Sequence, residues 1–138
     1  MEKRIVVKSD WETTDMPFKK AKFTLKRHFG ESEISKLKCG HIPQEMEDKW
    51  FFYFENDTLY AHRSWSGACI YAVKFNFETD KHRVVVNRDK SQYSCKSKED
   101  DLNQLNRLLD RWTQPEYDYY NEWLDETAGA LRRSGRNK

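Results

Sequence analysis

Four short segments rich in aromatic and β-branched residues follow one another between residues 49 and 88. This composition is typical of β-strands, and turn-forming residues interrupt the run after each of the first three segments. Short turns between consecutive strands can join only antiparallel neighbours. The sequence therefore predicts a four-stranded antiparallel meander with strands at 49–55, 58–63, 69–77 and 82–88.

An amphipathic pattern precedes this predicted sheet. Apolar residues recur at helical spacing between residues 16 and 29, and lysines fill many of the intervening positions. Pro17 favours the first turn of a helix, and Gly30 favours a helix end. We therefore predict a basic helix over 16–29, followed by an irregular stretch over 31–48 with a short turn of helix at 33–37.

Two further helices are predicted after the sheet. Ser97 and Asp100 stand at the spacing of a capping box, and leucines follow at helical intervals up to Trp112. A second, less regular helical pattern covers residues 116–131. The basic tail 132–138 lacks apolar residues, so we expect it to be disordered.

These elements define an α+β domain in which an antiparallel four-stranded meander packs with an N-terminal helix and C-terminal helices. The β-branched run at residues 4–8 would add a fifth strand or an edge strand. With 138 residues and 37% apolar residues, the chain has enough material for one core. We therefore predict a single domain over residues 1–131.

The charges are distributed unevenly along the chain, although the net charge is only +2. Residues 1–41 and 49–98 carry more basic than acidic side chains, whereas residues 99–126 carry nine acidic and two basic ones. Such polarity predicts one basic face and one acidic face. It suits an anionic ligand or charge-matched self-association into a homo-oligomer.

The cysteine spacing and the lack of long apolar runs predict the cellular compartment of the protein. Three cysteines occur without repeated spacing, and no apolar run forms a leader or reaches the roughly 18 residues of a membrane span. These features predict a cytoplasmic protein with free thiols and no membrane partner. The pair Cys39 and His41 has no second pair at zinc-site spacing, so we expect no metal and no cofactor.

The most unusual polar segment is the break that follows the second predicted strand. Arg63 could hold a phosphate through its two-pronged guanidinium, and Trp65 could stack on a base. Ser64, Ser66 and the amide of Gly67 could add neutral hydrogen-bond donors. The alternative is a plain hairpin loop in which the indole folds onto the core and the guanidinium pairs with a nearby carboxylate.

Cations on neighbouring strands could complete this candidate site. In the predicted pairing, Lys74 and Arg83 would approach Arg63 across one face of the sheet, and Lys49 begins the first strand of the meander. Clustered cations are costly unless an anion or carboxylates compensate them. Ordinary solvated side chains are the alternative for each of these residues.

A hydrolytic centre is the competing interpretation of the same region. His62 could act as a general acid or base, with Glu47 or Asp48 assisting, at a phosphate-bearing bond. The sequence contains no nucleophile elbow and no phosphate-binding loop of the standard kinds. Whether the protein is an enzyme therefore stays open at this point.

Nucleic acid is a further partner that the lysines suggest. On the predicted basic helix, Lys19, Lys22 and Lys26 could contact phosphates. The acidic stretch 99–126 opposes such binding, and the isoelectric point of about 8.4 is only mildly basic. We therefore expect a small nucleotide-like ligand and no nucleic-acid partner.

Three stretches of the meander carry a signature: Met46 to Glu55 (MEDKWFFYFE), Leu59 to Gly67 (LYAHRSWSG) and Cys69 to Tyr71 (CIY). The signature resembles small uncharacterised prokaryotic and phage proteins that occur alone or beside ADP-ribosylglycohydrolase and macrodomain modules. The resemblance implies a ligand from ADP-ribose or nucleotide-signal chemistry. The motif positions that it carries over are Lys49, Trp50, His62, Arg63, Ser64 and Trp65.

The sequence as a whole favours a domain that binds a nucleotide-like, phosphate-bearing small molecule, as a sensor or sponge of a nucleotide signal. Two alternatives from other classes remain. One is a hydrolase of an ADP-ribose or phosphodiester bond, and the other is a protein–protein adaptor or inhibitor that uses an aromatic surface.

Overall fold

Five antiparallel strands form one sheet, in which the predicted meander occupies four consecutive positions. The computed structural model describes residues 5–94 and 97–114. The strand order is β1-β5-β4-β3-β2. The strands are β1 (Lys20–Lys26), β2 (Trp50–Glu55), β3 (Thr58–Arg63), β4 (Cys69–Lys74) and β5 (Lys81–Asn87). The prediction of an α+β fold built on an antiparallel meander is confirmed.

The fifth strand comes from a segment for which the prediction was wrong. Residues 16–29 do not form a helix, because Lys20–Lys26 is a strand that pairs with β5. The helical interpretation used the spacing of Ala21 and Leu25 but left Phe23 unexplained. In the strand, all three of these side chains face the core, and the lysines alternate with them on the other side.

Two helices cover one face of the sheet. Helix α1 (Glu31–Cys39) begins where the prediction placed a helix end, because the Glu33 carboxylate accepts a hydrogen bond from the Gly30 amide at 2.8 Å. The predicted turn of helix at 33–37 was therefore shorter than the helix that forms, and residues 31–39 are not irregular. Helix α2 (Lys98–Thr113) begins as predicted, since the Ser97 hydroxyl accepts from the Asp100 amide at 3.1 Å.

The main core lies between these helices and the sheet. Leucines of α2 and Trp112 pack on aromatic side chains of the strands, and the rings of Phe52 and Trp112 lie 4.4 Å apart. Tyr71 and Val73 of β4 are buried in this core, as is Phe75 just beyond the strand. This face of the sheet is therefore closed to ligands over most of its area.

The N-terminal segment covers part of the opposite face. Residues 5–15, which we call the N-terminal strap, bury Val6 against Phe51 and stack Trp11 on the same ring at 5.9 Å. The strap contains a short 3₁₀ turn, Lys8–Asp10. The described residues of the predicted strand at 4–8 do not join the sheet as a strand, so that prediction was wrong.

Several predictions fall outside the part of the chain that the structure describes. They are the helix at 116–131, the tail at 132–138 and the state of Cys95. Cys39 and Cys69 are free thiols. Among the described residues, no helix is long and apolar enough to cross a bilayer.

Candidate functional site

The loop between β3 and β4 is held together by its own hydrogen bonds. The Gly67 amide donates to the Arg63 carbonyl at 2.8 Å, and the Ser66 hydroxyl accepts from the Ala68 amide at 3.2 Å. The Ser64 hydroxyl is buried and donates to the Asp48 carbonyl at 2.9 Å. Two of the three predicted neutral donors, the Ser64 hydroxyl and the Gly67 amide, are therefore engaged within the protein, which opposes a phosphate site in this loop.

The close backbone approach at Gly67 is made to the N-terminal strap. Gly67 has a φ of +76°, and a Cβ atom there would lie 2.5 Å from the Glu12 carbonyl oxygen. Its own carbonyl accepts from the Thr14 amide at 2.8 Å. Trp11 completes the contact by donating its indole N–H to the Ser64 carbonyl at 2.8 Å. The glycine therefore serves chain packing.

The Trp65 side chain does not fold onto the core and the Arg63 guanidinium does not pair with a described carboxylate, but the two side chains make separate contacts. The Trp65 side chain is 74% exposed and donates its N–H to the Met46 carbonyl at 3.1 Å. The Arg63 guanidinium lies 5.2 Å from the centre of the Trp50 ring. It forms no ion pair with a carboxylate of the described residues.

His62 occupies a buried position that does not suit acid–base chemistry. Its side chain lies among the rings of Phe51 and Tyr53, and its Nδ1 donates to the Gly67 carbonyl at 3.0 Å. Burial lowers the pKa of His62, which keeps the ring neutral near pH 7. The buried Nε2 therefore carries a lone pair, and it has no hydrogen-bond partner among the described residues.

The carboxylates predicted to assist His62 lie elsewhere. Asp48 accepts from Nε2 of His41 at 2.6 Å and from the Gln44 amide at 3.2 Å. Burial alone would raise the pKa of Asp48, but the hydrogen bond and charge of His41, together with hydrogen bonds from the Gln44 and Trp50 backbone, outweigh it and lower that pKa. Glu47 is exposed. No hydrogen bond or ion pair of the described residues joins His62 to either carboxylate.

The predicted cations are divided between the two faces of the sheet. Arg63 shares the helix-covered face with Trp50, its cross-strand partner. Lys74 pairs across from Thr58 on β3, so it lies on the face of Tyr60 and His62. Arg83 pairs directly with Lys74. The expectation that these two cations approach Arg63 was therefore wrong, because the strand register places Arg63 on the helix-covered face and Lys74 and Arg83 on the opposite face.

Lys49 lies away from the other predicted cations. It is exposed and immediately precedes β2, and its carbonyl accepts a hydrogen bond from the Ser64 amide at 2.9 Å. The strand that follows it is separated from β4 by β3. Lys49 is therefore not part of a cluster with Lys74 and Arg83.

Exposed cations cover the part of the second face that the strap leaves uncovered. We call this region the open face and define it by six exposed side chains on β1, β5 and β4. They are Lys20, Lys22, Lys26, Lys74, Lys81 and Arg83. Strand pairing places all six on the same side of the sheet.

Two pairs of like charges lie directly opposite one another on this face. Lys74 pairs with Arg83, and Lys26 pairs with Lys81. Directly opposed residues of an antiparallel pair have Cβ atoms about 5 Å apart, and like charges at such positions destabilise a sheet. Each pair therefore costs a few tenths to about 1 kcal/mol in the absence of an anion.

The ion pairs of the described acidic side chains are made with other basic groups. Asp110 pairs with Arg27 at 2.7 Å, Asp15 with Lys8 at 3.4 Å, and Asp80 lies 3.2 Å from Nδ1 of His28. Asp101 is fully buried and lies 2.6 Å from Arg88. Within the described residues, no ion pair neutralises any of the six open-face cations.

Sequence reasoning missed Lys20 and Lys81, and it placed Lys22 and Lys26 on a helix. The signal for the true arrangement was present in residues 20–26, where polar and apolar side chains alternate strictly. The helical spacing of the larger apolar residues competed with this alternation. Assigning β1 correctly would have brought its lysines beside Arg83.

Among the described residues, no group of three or more His, Cys, Asp or Glu side chains is arranged to hold a metal ion. Comparison of the chain with models of protein families, with curated proteins and with solved structures finds no match. The resemblance to prokaryotic and phage proteins stays a prediction. The functional argument consequently depends on geometry and charge.

Proposed function

We propose that this protein binds a phosphate-bearing ligand and that Lys74 and Arg83 on the open face are its central phosphate contacts. The observation that carries the proposal is their direct cross-strand pairing without a compensating carboxylate among the described residues. A bound phosphate would convert this repulsion into two attractive contacts. Arginine supplies paired donors and lysine a compact charge, which together suit phosphate oxygens.

Protection of a sheet edge explains only part of the open face. Lysines on an edge strand prevent pairing with other chains, and this accounts for Lys20, Lys22 and Lys26 on β1. Lys74 and Arg83 lie on inner strands, where edge protection has no role. Ligand binding gives these two residues a reason to be adjacent.

The experiment measures binding of inorganic pyrophosphate by isothermal titration calorimetry. The double variant K74Q/R83Q is expected to lower affinity about tenfold or more, because two charge-assisted contacts are lost. The matched control K98Q/R107Q removes the same charge from exposed positions of α2 on the helix side and should bind as the unmodified protein does. Equal affinity of all three proteins would refute the proposal.

The adaptor and hydrolase alternatives receive less support. The exposed Trp65 and Met46 could contact a protein, but the residues that the structure describes supply no second feature that selects such a partner. Hydrolysis would need a titratable pair around one phosphate, and the described residues place His62 and Asp48 in separate contacts.

A further inference from the structure

We infer that the ligand of the open face is a single-stranded nucleic acid bound along β1, β5 and β4. This inference rests on the proposed function and specifies the class of phosphate ligand. It starts from the extent of the cationic surface, which continues beyond the central pair along the whole length of β1.

The open face is an elongated surface. The cations of β1 extend from Lys20 to Lys26, and six residue steps in an antiparallel strand cover about 20 Å. Three adjacent strands add a width of about 10 Å. A pyrophosphate group can contact only part of this area. A chain with regularly repeated phosphates can neutralise both like-charge pairs at once.

The acidic residues of α2 do not oppose such a ligand. Helix α2 packs on the other face of the sheet, where its leucines form the main core. Its acidic side chains at 101 and 110 are paired with Arg88 and Arg27. The argument from sequence against nucleic acid used the whole acidic stretch 99–126, of which the structure describes residues 99–114.

An exposed aromatic residue lies two positions before the start of β1. Phe18 is 94% exposed and precedes Lys20 by two residues, which limits their separation to about 7 Å. Grooves that bind single strands combine cations along the backbone with aromatic rings on which bases stack. A duplex keeps its bases stacked internally, so the phenyl ring favours a single strand.

The first test measures fluorescence anisotropy of labelled twelve-nucleotide oligomers of deoxythymidine and of uridine. We expect binding that strengthens with oligomer length and weakens steeply with salt. Four phosphate contacts would give a logarithmic slope of about −2.8, which corresponds to roughly a 50-fold loss of affinity between 50 and 200 mM salt. In the K74Q/R83Q variant the slope should be shallower by about 1.4.

The second test concerns the aromatic residue. F18A is expected to lower oligomer affinity by about fivefold or more without changing the salt slope, because stacking contributes without charge. The matched control W65A removes another exposed ring outside the open face and should leave affinity unchanged. A duplex of the same length should bind more weakly than the single strand.

The outcomes separate this inference from the proposed function. Binding of pyrophosphate without binding of either oligomer would overturn the inference and leave the proposed function standing. Failure of both ligands to bind would overturn both. Competition by polyglutamate as strong as that by the oligomers would also overturn the inference, since that polymer carries charge but no bases or phosphates.

Discussion

At the scale of single residues, the pairing of Lys74 with Arg83 lowers the stability of the sheet but suits the proposed binding of phosphate. Two like charges on adjacent inner strands repel each other, and no carboxylate of the described residues pairs with either. A sheet under selection for stability alone would favour opposite charges at these positions. Binding sites commonly retain such locally unfavourable arrangements.

This conflict leads to a prediction for Lys74→Glu. The substitution replaces repulsion with attraction to Arg83, so the free energy of unfolding should rise by about 0.5–1 kcal/mol while pyrophosphate binding is lost. Urea denaturation measures the first effect and calorimetry the second. In an Arg83→Gln background the gain in stability should largely disappear, and a gain of the same size there would show that it has another cause.

His62 and His82 give the fold a predictable dependence on pH. Burial lowers the pKa of both rings from an ordinary value of 6.5. The unfolded chain therefore binds more protons than the folded chain as the pH falls below about 6.5. Their contribution to stability is complete above that pH and is lost progressively as the pH falls towards the lower pKa values of the folded state.

His62→Phe should therefore flatten the fall in unfolding free energy between pH 7.5 and 5, measured by urea denaturation at several pH values. It should not remove the fall completely, because His82 still contributes. Pyrophosphate affinity should be unchanged, since the ring is buried under the strap and away from the open-face cations. A pH profile identical to that of the unmodified protein would contradict the assignment of His62 as a buried neutral ring.

At the scale of elements, a buried polar network fixes α2 to the sheet. The Asp101 carboxylate accepts hydrogen bonds from the hydroxyls of Tyr93 at 2.6 Å and Tyr71 at 3.2 Å, and it pairs with Arg88. The Gln104 amide donates to both tyrosine hydroxyls. Because Asp101 and Gln104 lie on α2, Tyr71 lies on β4, and Arg88 and Tyr93 follow β5, the network ties the helix to the sheet.

Asp101→Ala should lower the free energy of unfolding by about 3 kcal/mol, because it leaves Arg88 and two buried hydroxyls without their shared acceptor. The comparison variant Asp110→Ala removes a more exposed partner of Arg27 and should cost less than about 1 kcal/mol. Urea denaturation measures both. Equal losses in the two variants would show that burial of the Asp101 pair has no special importance.

Some elements were predictable from the sequence and others were not, for physical reasons. The meander strands and the start of α2 were predictable because turn residues and the Ser97 cap act locally. Strand β1 was not, because its apolar side chains satisfy helical and strand spacing together until pairing with β5 decides between them. The closure of the 63–67 loop was not predictable, because its polar groups bond to distant segments: the Ser64 hydroxyl donates to the Asp48 carbonyl, and the Ser64 and Gly67 carbonyls accept from Trp11 and Thr14 of the strap.

At the scale of the whole molecule, the fold gathers exposed cations on one side of the sheet. The predicted acidic face stays a prediction, since α2 carries four acidic and three basic side chains and residues 115–126 lie outside the part of the chain that the structure describes. Which residues lie on the cationic side was not predictable without the register of β1 and β5. This arrangement leaves a cationic surface available for phosphate groups.

The most direct test of the open face is a titration of the ¹⁵N-labelled protein with pyrophosphate, followed by two-dimensional ¹H–¹⁵N spectra. The largest shifts of amide signals should occur at Lys22, Thr24, Lys74 and Arg83. Residues 63–66 should shift little, because that loop is closed by its own hydrogen bonds. Shifts centred on residues 63–66, or no shifts at millimolar pyrophosphate, would contradict the assignment of the open face as the phosphate-binding surface.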